Sequence, residues 1–353
     1  MQNAANRTFD VTIIGGGING CGCAADAALR GLSVLLCEQD DLASKTSSSS
    51  SKLIHGGLRY LEHGDFSLVR KALIERQTLL NMAPHLIHPL PLVLPHQKHL
   101  RDKWLIRAGL FIYDHLSRTN QLPHHAYISR LINPGYFDPL SKEIENGFIY
   151  YDAGADDARL TITNAMQARE KGAFIQTHTR LIQAKVHNQL WELTLQSPAS
   201  EPYKIHARSV INAAGPWVEP VNQLLHIPMR YNISLVKGSH IVLNRLYDGE
   251  HAYVLQHVDK RIVFVAPYHG FTMIGTTDVP IPNPLNDTHI TEDEISYLLQ
   301  LTEQYFPEKI VGRNIINSWS GVRALIAEPN KNASALSREY ACHFSHEPAP
   351  AVT

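Results

Sequence analysis

The amino-acid sequence predicts an α/β protein in two parts: a doubly wound parallel sheet, discontinuous along the chain, and a second α+β domain on a mostly antiparallel sheet. Three observations carry this. Phe9 to Ile14 (FDVTII) is a short β-branched run that ends directly in glycines. Cys21 to Arg30 is alanine-rich and helical in character, Gly31 caps it, and Ser33 to Cys37 (SVLLC) reads as a second buried strand. From Tyr231 to Thr276 the pattern changes to alternating strands such as HIVL, RIVFVAP and TMIGTT. A strand, turn, helix and strand within forty residues implies parallel neighbours, and the later alternation implies antiparallel ones.

The elements between these landmarks follow from local signals. Phe66 to Met82 has apolar residues at helical spacing and stops before Pro84. Pro84 to His99 is rich in proline and histidine yet stays apolar, which suits irregular structure more than a linker. Asp156 or Asp157 can cap a helix running to Lys171, and Ala173 to Thr177 then reads as a strand. Arg180 to Val186 and Leu190 to Leu195 flank His187-Asn188-Gln189 as a hairpin, and Val210 to Ala214 is a buried strand broken by Gly215-Pro216. Helical spacing returns at Glu292 to Phe306. The expected division is 9–83 with 148–216 for the parallel domain, 84–147 with 217–345 for the second domain, and a flexible tail at 346–353.

Composition narrows the function. With 32 basic and 33 acidic residues the net charge is -1, so no broad field gathers nucleic acid, and any bound anion must be held by local geometry. The four cysteines form no CxxC pair and no zinc spacing, which suggests a reducing compartment, and the 20 histidines are too scattered to argue for a metal. Residues 1–8 lack the basic start and apolar core of a signal peptide. No run approaches the ~20 apolar residues of a membrane span. Trp104 to Leu116 (WLIRAGLFIYDHL) is expected to be an ordinary buried helix, with contact at a membrane headgroup boundary as the alternative.

Gly15-x-Gly17-x-x-Gly20 sits between the first strand and the first helix. There the first glycine makes the turn, the second admits a pyrophosphate to the backbone, and the third presses helix on sheet. Ile18 and Asn19 begin the helix, whose N-terminal N–H groups and dipole favour phosphate. Glu38, 18 residues beyond Gly20 at the end of the second strand, is placed to accept from an adenosine ribose. NAD enzymes of this plan continue with further βαβ repeats. Here the chain turns instead into a serine stretch and returns only at Asn212-Ala213-Ala214-Gly215, an interruption that suits an extended FAD reaching a second domain.

The run GGGINGCGCAADAALRGLSVLLCEQDDLASKTSSSSSKLIHGGLRYLEHGDFSLVRKAL, followed in order by NAAGPWV, KGSHIVL, DKRIVFVAPY, IGTTDV and SGVRAL, resembles the FAD-dependent, aerobic-type glycerol-3-phosphate dehydrogenases from residue 9 to about 328. The resemblance implies oxidation of sn-glycerol 3-phosphate to dihydroxyacetone phosphate, with hydride passing to flavin N5 and electrons to a membrane quinone. It also implies a cytoplasmic protein held peripherally on the inner face of the cytoplasmic membrane, and leaves homo-oligomerisation open.

On that footing each residue acquires a role. Ser47, Ser48, Ser51, Lys52, Leu53, His55, Gly56 and Gly57, with Ala214 and Gly215, are expected along the cofactor, the serines as small hydroxyls and backbone donors. His55 and His240 are alternative bases for the substrate hydroxyl, since a neutral imidazole accepts a proton near neutral pH. Arg59 and Arg323, aided by Tyr60, form the phosphate clamp, because a guanidinium fork holds paired oxygens better than an ammonium. Lys52 and Lys237 are weaker candidates for electrostatic help to the reduced flavin, and Thr276-Thr277-Asp278 for a turn that shapes the pocket.

Beyond Glu328 the similarity fades. Relatives continue with a glycine-rich FGGK(L)TTYR-type segment and a helical C-terminal domain, so the chain is expected to be truncated relative to the family. Two readings compete with the leading one: a related flavin oxidoreductase acting on another 2-hydroxy acid or an amine, and a non-catalytic FAD-binding remnant.

Overall fold

The computed structural model describes residues 4–353 except 98, 199, 260, 283–287, 311–313 and 329–335. Lys260 of the DKRIVFVAPY run therefore lies outside the described residues. The chain opens with β1 (Thr8–Ile14), α1 (Ile18–Leu29) and β2 (Val34–Cys37), with Gly31 at φ +81° after the helix. β1 and β2 pair in parallel, Val11 opposite Val34 through Ile14 opposite Cys37. The alanine face of α1 packs on this pair: Cys21, Ala24 and Ala28 are buried against Ile13 and Leu36. Small side chains are what let the helix sit close enough for its first turn to meet the strand ends.

A 3-10 turn at Thr46–Ser48 leads into β3 (Leu53–Ile54), α2 (Phe66–Met82), β4 (Ile87–Pro95), α3 (Lys103–His115), β5 (Ala126–Ser129) and β6 (Asn146–Ala155). The segment expected to be irregular, 84–99, is thus largely strand: Pro89, Pro91 and Pro95 alternate with Leu90, Leu92 and Leu94, and β4 pairs with β6 across nine positions. β6 belongs to the second sheet throughout, so the boundary expected at 148 falls inside a strand of that sheet. The cue was weak because FIYYDAGA suits either sheet.

α4 (Asp157–Glu170) is capped by Asp156, whose carboxylate accepts from the Arg159 N–H, and leads to β7 (Phe174–Gln176). β8 (Arg180–His187) and β9 (Leu190–Gln196) form the hairpin, and β10 (Tyr203–Asn212) returns parallel to β1. α5 (Val218–Leu224) precedes the long β11 (Ile233–Asn244), then β12 (Ala252–Gln256), β13 (Ile262–Tyr268), β14 (Phe271–Gly275) and β15 (Val279–Pro280). α6 (Glu292–Tyr305), α7 (Pro307–Ile310), β16 (Ile315–Ile326), β17 (Phe344–Ser345) and β18 (Ala351–Val352) complete the chain.

The first sheet runs β17-β18-β10-β1-β2-β7, with the β8–β9 hairpin attached at β10. The second gathers β3 to β6 and β11 to β16, all of its ladders antiparallel except β12 with β4. Residues 346–353 are not a loose tail: Val210 pairs with Ala351 in parallel, Trp191 Nε1–H donates to the Pro350 carbonyl at 2.9 Å, and Ala349 is buried. The strand is two residues long and its partner lies some 140 residues earlier, so no local periodicity could announce it.

α3 also departs from the buried helix expected. Ile106, Leu110 and Tyr113 face the core, but Trp104 (70% exposed), Leu105, Phe111 (57%) and Ile112 form an apolar face toward solvent. Among the described residues no helix is long and apolar enough to cross a membrane.

Candidate functional site

A cavity of about 660 Å³ runs from the glycine turn and Glu38 at one end to His55, Tyr60 and Arg323 at the other. Its lining reaches from the glycine turn after β1 to β13 and β16 of the second sheet, and walls drawn from both sheets suit an extended ligand rather than a compact one.

At the first end, side chains are excluded. A Cβ on Gly15, which has φ +113°, would lie 2.5 Å from the Ala213 carbonyl oxygen, and one on Gly20 would lie 1.9 Å from the Gly15 oxygen. Gly17 caps α1 without a side chain, so apart from the Ile18 N–H, which Ser47 accepts, the first turn's N–H groups are left uncapped by it. Glu38 is held there by two backbone donors, Gly16 N–H at 2.6 Å and Asp40 N–H at 2.8 Å. This bracing aims the carboxylate along the cavity edge.

The serine stretch binds three elements together. Ile18 N–H donates to Ser47 Oγ at 2.9 Å, and Thr46 Oγ1 donates to the Val322 carbonyl at 2.7 Å. Ser50 Oγ and Lys52 Nζ both donate to the Asp157 carboxylate, at 2.7 Å each, and Lys52 Nζ also donates to the Ser48 carbonyl. Ser47 and Ser51 line the cavity; Ser48, Lys52 and Leu53 are not among its lining residues, nor is Gly20 in the first turn of α1. Lys52 therefore fastens the loop to α4 and is not among the residues that line the cavity, its ammonium 5.2 Å over the Trp319 ring.

The two histidines separate. His55 follows β3, lines the cavity and packs on Phe264 with ring centroids 5.7 Å apart. Burial holds its pKa below the ordinary imidazole value, so it is a neutral acceptor near pH 7. His240 does not line the cavity: its ring stacks on Trp319 at 5.4 Å, Nε2 meets Ser51 Oγ at 2.9 Å, and among the described residues Nδ1 has no hydrogen-bond partner. Burial, with Arg323 and Lys52 nearby, pushes His240 down to about 3. Gly275 makes room for this packing, since a Cβ there would meet the imidazole at 2.0 Å.

Arg59, Tyr60 and Arg323 all line the far end, joined by Arg338, which sequence reasoning missed because it follows the point where the resemblance fades. Arg323 lies on Gly238, where a Cβ would come within 2.5 Å of Nη2. Its Nη1 donates to Asp278 Oδ1 at 2.9 Å and its Nη2 to Thr276 Oγ1 at 3.3 Å, while Arg338 Nη2 reaches the same Asp278 oxygen at 3.5 Å. Asp278 thus braces two guanidiniums, and forks brought together in this way suit the oxygens of a phosphate dianion. Lys237 is elsewhere: it pairs with Glu294 at 2.9 Å, both side chains about 95% buried, and so ties β11 to the α6 cap.

Gly57 lines the cavity at φ +75°, Gly56 sits just behind it, and Ile18, Asn19, Ala214 and Gly215 complete the wall near α1. Burial pushes the Cys21 and Cys37 thiols up to about 12, which keeps both protonated near pH 7. Among the described residues no group of His, Cys, Asp or Glu is placed to hold a metal.

Residues 10–341 match the family described as FAD dependent oxidoreductase. Over 341 residues the chain is 50% identical to a glycerol-3-phosphate dehydrogenase of Pseudomonas aeruginosa, covering 96% of this chain and 66% of that protein. It is 46% identical to the aerobic glycerol-3-phosphate dehydrogenase of Escherichia coli, covering 97% and 68%, and 45% identical to a D-erythritol 1-phosphate dehydrogenase of Brucella abortus, covering 96% and 68%. The solved glycerol-3-phosphate dehydrogenase of Bacillus halodurans, complexed with FAD, superposes with a TM-score of 0.76 at 25% identity, over 99% of this chain and 61% of that one. The chain thus spans about two thirds of the length of the relatives it matches. A glycine cradle that no side chain could enter, a braced carboxylate at strand end and the cavity they line fit an FAD such as the one bound in the Bacillus halodurans structure, and the chain belongs to the FAD dependent oxidoreductase family.

Proposed function

We propose that this chain oxidises sn-glycerol 3-phosphate to dihydroxyacetone phosphate with FAD as the hydride acceptor, and that the electrons leave to a membrane quinone. One observation carries the reading: a single cavity is lined by the glycine cradle and Glu38, by His55, and by a cluster of Arg59, Arg323 and Arg338. When bound, FAD supplies a two-electron acceptor for the carbinol hydrogen. Glu38 would hold its ribose, and the α1 N-terminus with Gly15, Gly17, Ser47 and Ala214 its pyrophosphate end.

The residues of the chain do the rest. Arg323 and Arg338, spaced by Asp278, take the phosphate of the substrate, and Arg59 and Tyr60 close over it. His55 accepts the proton of the secondary hydroxyl as the hydride departs, which a neutral imidazole in an apolar wall can do near pH 7. His240 is set aside as the base because Ser51 stands between it and the cavity and protonation would leave a charged ring with an unpaired N–H. The Brucella abortus relative favours a second reading within the same chemistry, a longer polyol phosphate. Anaerobic addition of glycerol 3-phosphate or D-erythritol 1-phosphate to the FAD-loaded protein tests both. Bleaching of the flavin by the first alone supports the leading reading, preferential bleaching by the second supports the alternative, and bleaching by neither overturns both.

For contact with the quinone-bearing membrane, the reading draws on the outward face of α3. Trp104, Leu105, Phe111 and Ile112 are exposed together, and Lys103 and Arg107 stand on the same helix, the combination of apolar, aromatic and cationic groups that suits a headgroup boundary. Sedimentation with vesicles containing anionic lipid should fall for Trp104→Ser with Phe111→Ser; equal sedimentation of the variant removes α3 from the contact.

A further inference from the structure

Behind the cavity wall lies a group of buried polar side chains that the proposed chemistry leaves unused. Arg76 of α2 and Asp152 of β6 form an ion pair at 2.5 Å, each side chain 1% exposed. Tyr113 of α3, 2% exposed, donates its hydroxyl to the same carboxylate, at 2.8 and 2.9 Å from its two oxygens. Arg76 is itself oriented by the Tyr151 carbonyl at 3.0 Å and Asn120 Oδ1 at 2.7 Å. Such a set is expensive to bury and contributes little to stability by itself, so its geometry is the more informative property.

That geometry ends on the segment that carries His55. The Gly56 N–H donates to the Tyr113 hydroxyl oxygen at 2.7 Å. This amide belongs to the peptide plane that leaves His55, so its hydrogen bond sets the direction of the chain at the Cα from which the imidazole projects. The approach is too close for any side chain: a Cβ on Gly56 would lie 2.7 Å from that hydroxyl and 2.6 Å from Leu73. On the other side, Gly57 takes φ +75° and presses on the Tyr60 ring, where a Cβ would meet carbon at 2.3 Å. His55 is thereby held between a relay from the core and a residue of the proposed phosphate clamp.

We infer that Tyr113, fixed by the Arg76–Asp152 pair, is a positioning residue that sets the orientation of His55 through the Gly56 amide. The inference rests on the reading of His55 as the base. Asp152 fixes the direction of the hydroxyl proton, which leaves the oxygen lone pairs for Gly56; Arg76 fixes Asp152. A displaced imidazole is costly to catalysis because proton acceptance needs alignment within fractions of an ångström.

The test uses Tyr113→Phe in the FAD-loaded chain, which keeps the ring and removes the hydroxyl. Leu110→Ala serves as the control, since Leu110 is fully buried on the same helix and loosens the same core without bonding to Gly56. Hydrogen–deuterium exchange of the segment 53–58 should quicken by about tenfold in Tyr113→Phe and stay near wild type in Leu110→Ala, because only the first loses the amide's acceptor. With glycerol 3-phosphate, kcat should fall by about 10- to 100-fold in Tyr113→Phe with KM within about twofold, whereas Leu110→Ala lowers the melting temperature and leaves kcat alone. Unchanged exchange and unchanged kcat in Tyr113→Phe overturn the inference, as does an equal loss in both variants. His55→Ala separates this from the underlying reading: if it retains turnover, the base is wrong, and if it is inactive while Tyr113→Phe is normal, the positioning is wrong. Should Tyr113→Phe not fold, Asn120→Ala loosens Arg76 from outside, and unaltered exchange at 53–58 there also counts against the relay.

Discussion

Replacing Arg323 by alanine tests the phosphate clamp at its best-defined member. The guanidinium is partly exposed, its side chain 29% accessible, and it already spends one fork on Asp278 at 2.9 Å. What it can offer a phosphate is therefore one or two charge-assisted hydrogen bonds at a partly solvated site, worth about 1.5–2.5 kcal/mol after allowance for screening. That corresponds to an increase in KM for glycerol 3-phosphate of about 10- to 60-fold. The fold should survive, because Asp278 keeps Arg338 at 3.5 Å, although the less neutralised carboxylate then faces the phosphate and moves the effect toward the upper end. The contact is present before and during hydride transfer, so kcat should change little. Steady-state kinetics with glycerol 3-phosphate, set against unphosphorylated glycerol at high concentration, reads the effect directly. Arg323→Lys keeps the charge and loses the fork, and should sit between wild type and alanine. A KM that moves less than about twofold, or an equal loss on glycerol, would show that Arg323 does not bind the phosphate.

Other consequences are more local. Gly20→Ala would drive a methyl to 1.9 Å from the Gly15 oxygen, which is backbone and cannot step aside; the purified variant should carry no flavin absorbance. Asp157→Ala removes the shared acceptor of Ser50 and Lys52, so FAD should dissociate faster, seen as earlier release of flavin fluorescence on heating than global unfolding by circular dichroism. His240 gives a pH dependence of defined sign. Its folded pKa of about 3 lies below the unfolded value near 6.5, so the unfolded chain takes the proton first as pH falls. Its contribution is complete above about pH 6.5 and declines toward pH 3 by up to ~1.4 kcal/mol per unit. Between pH 7 and 5, urea unfolding of His240→Gln should lose about 2 kcal/mol less than wild type, and a difference near zero would mean that the ring is solvated in the native state.

The parts of the fold legible in the sequence are those whose causes are local. β1, the glycine turn, α1 and β2 could be read because alanine content, β-branching and glycine placement act within a few residues, and the capping of α4 by Asp156 and the β8–β9 hairpin follow the same rule. The elements that escaped owe their state to distant partners. β18 is a strand because Val210 and Trp191 await it, and β4 is one because β6 pairs along its whole length despite three prolines. The same distinction divides the two histidines. In the sequence, LIHGG and GSHIV are equivalent cases: a histidine beside small residues at the edge of an apolar run. What separates them is register in the second sheet. His240 pairs with Gly275 on one side and Trp319 on the other, and the imidazole fills the space that Gly275 leaves instead of entering the cavity. His55 stands past the end of β3, where the ladder with β6 has stopped and the chain must turn, so its ring is free to face the cavity while the Gly56 amide is taken by Tyr113. The histidine proposed as the base is thus the one that the sheet releases, and no count of local motifs could show which of the two faces the cavity.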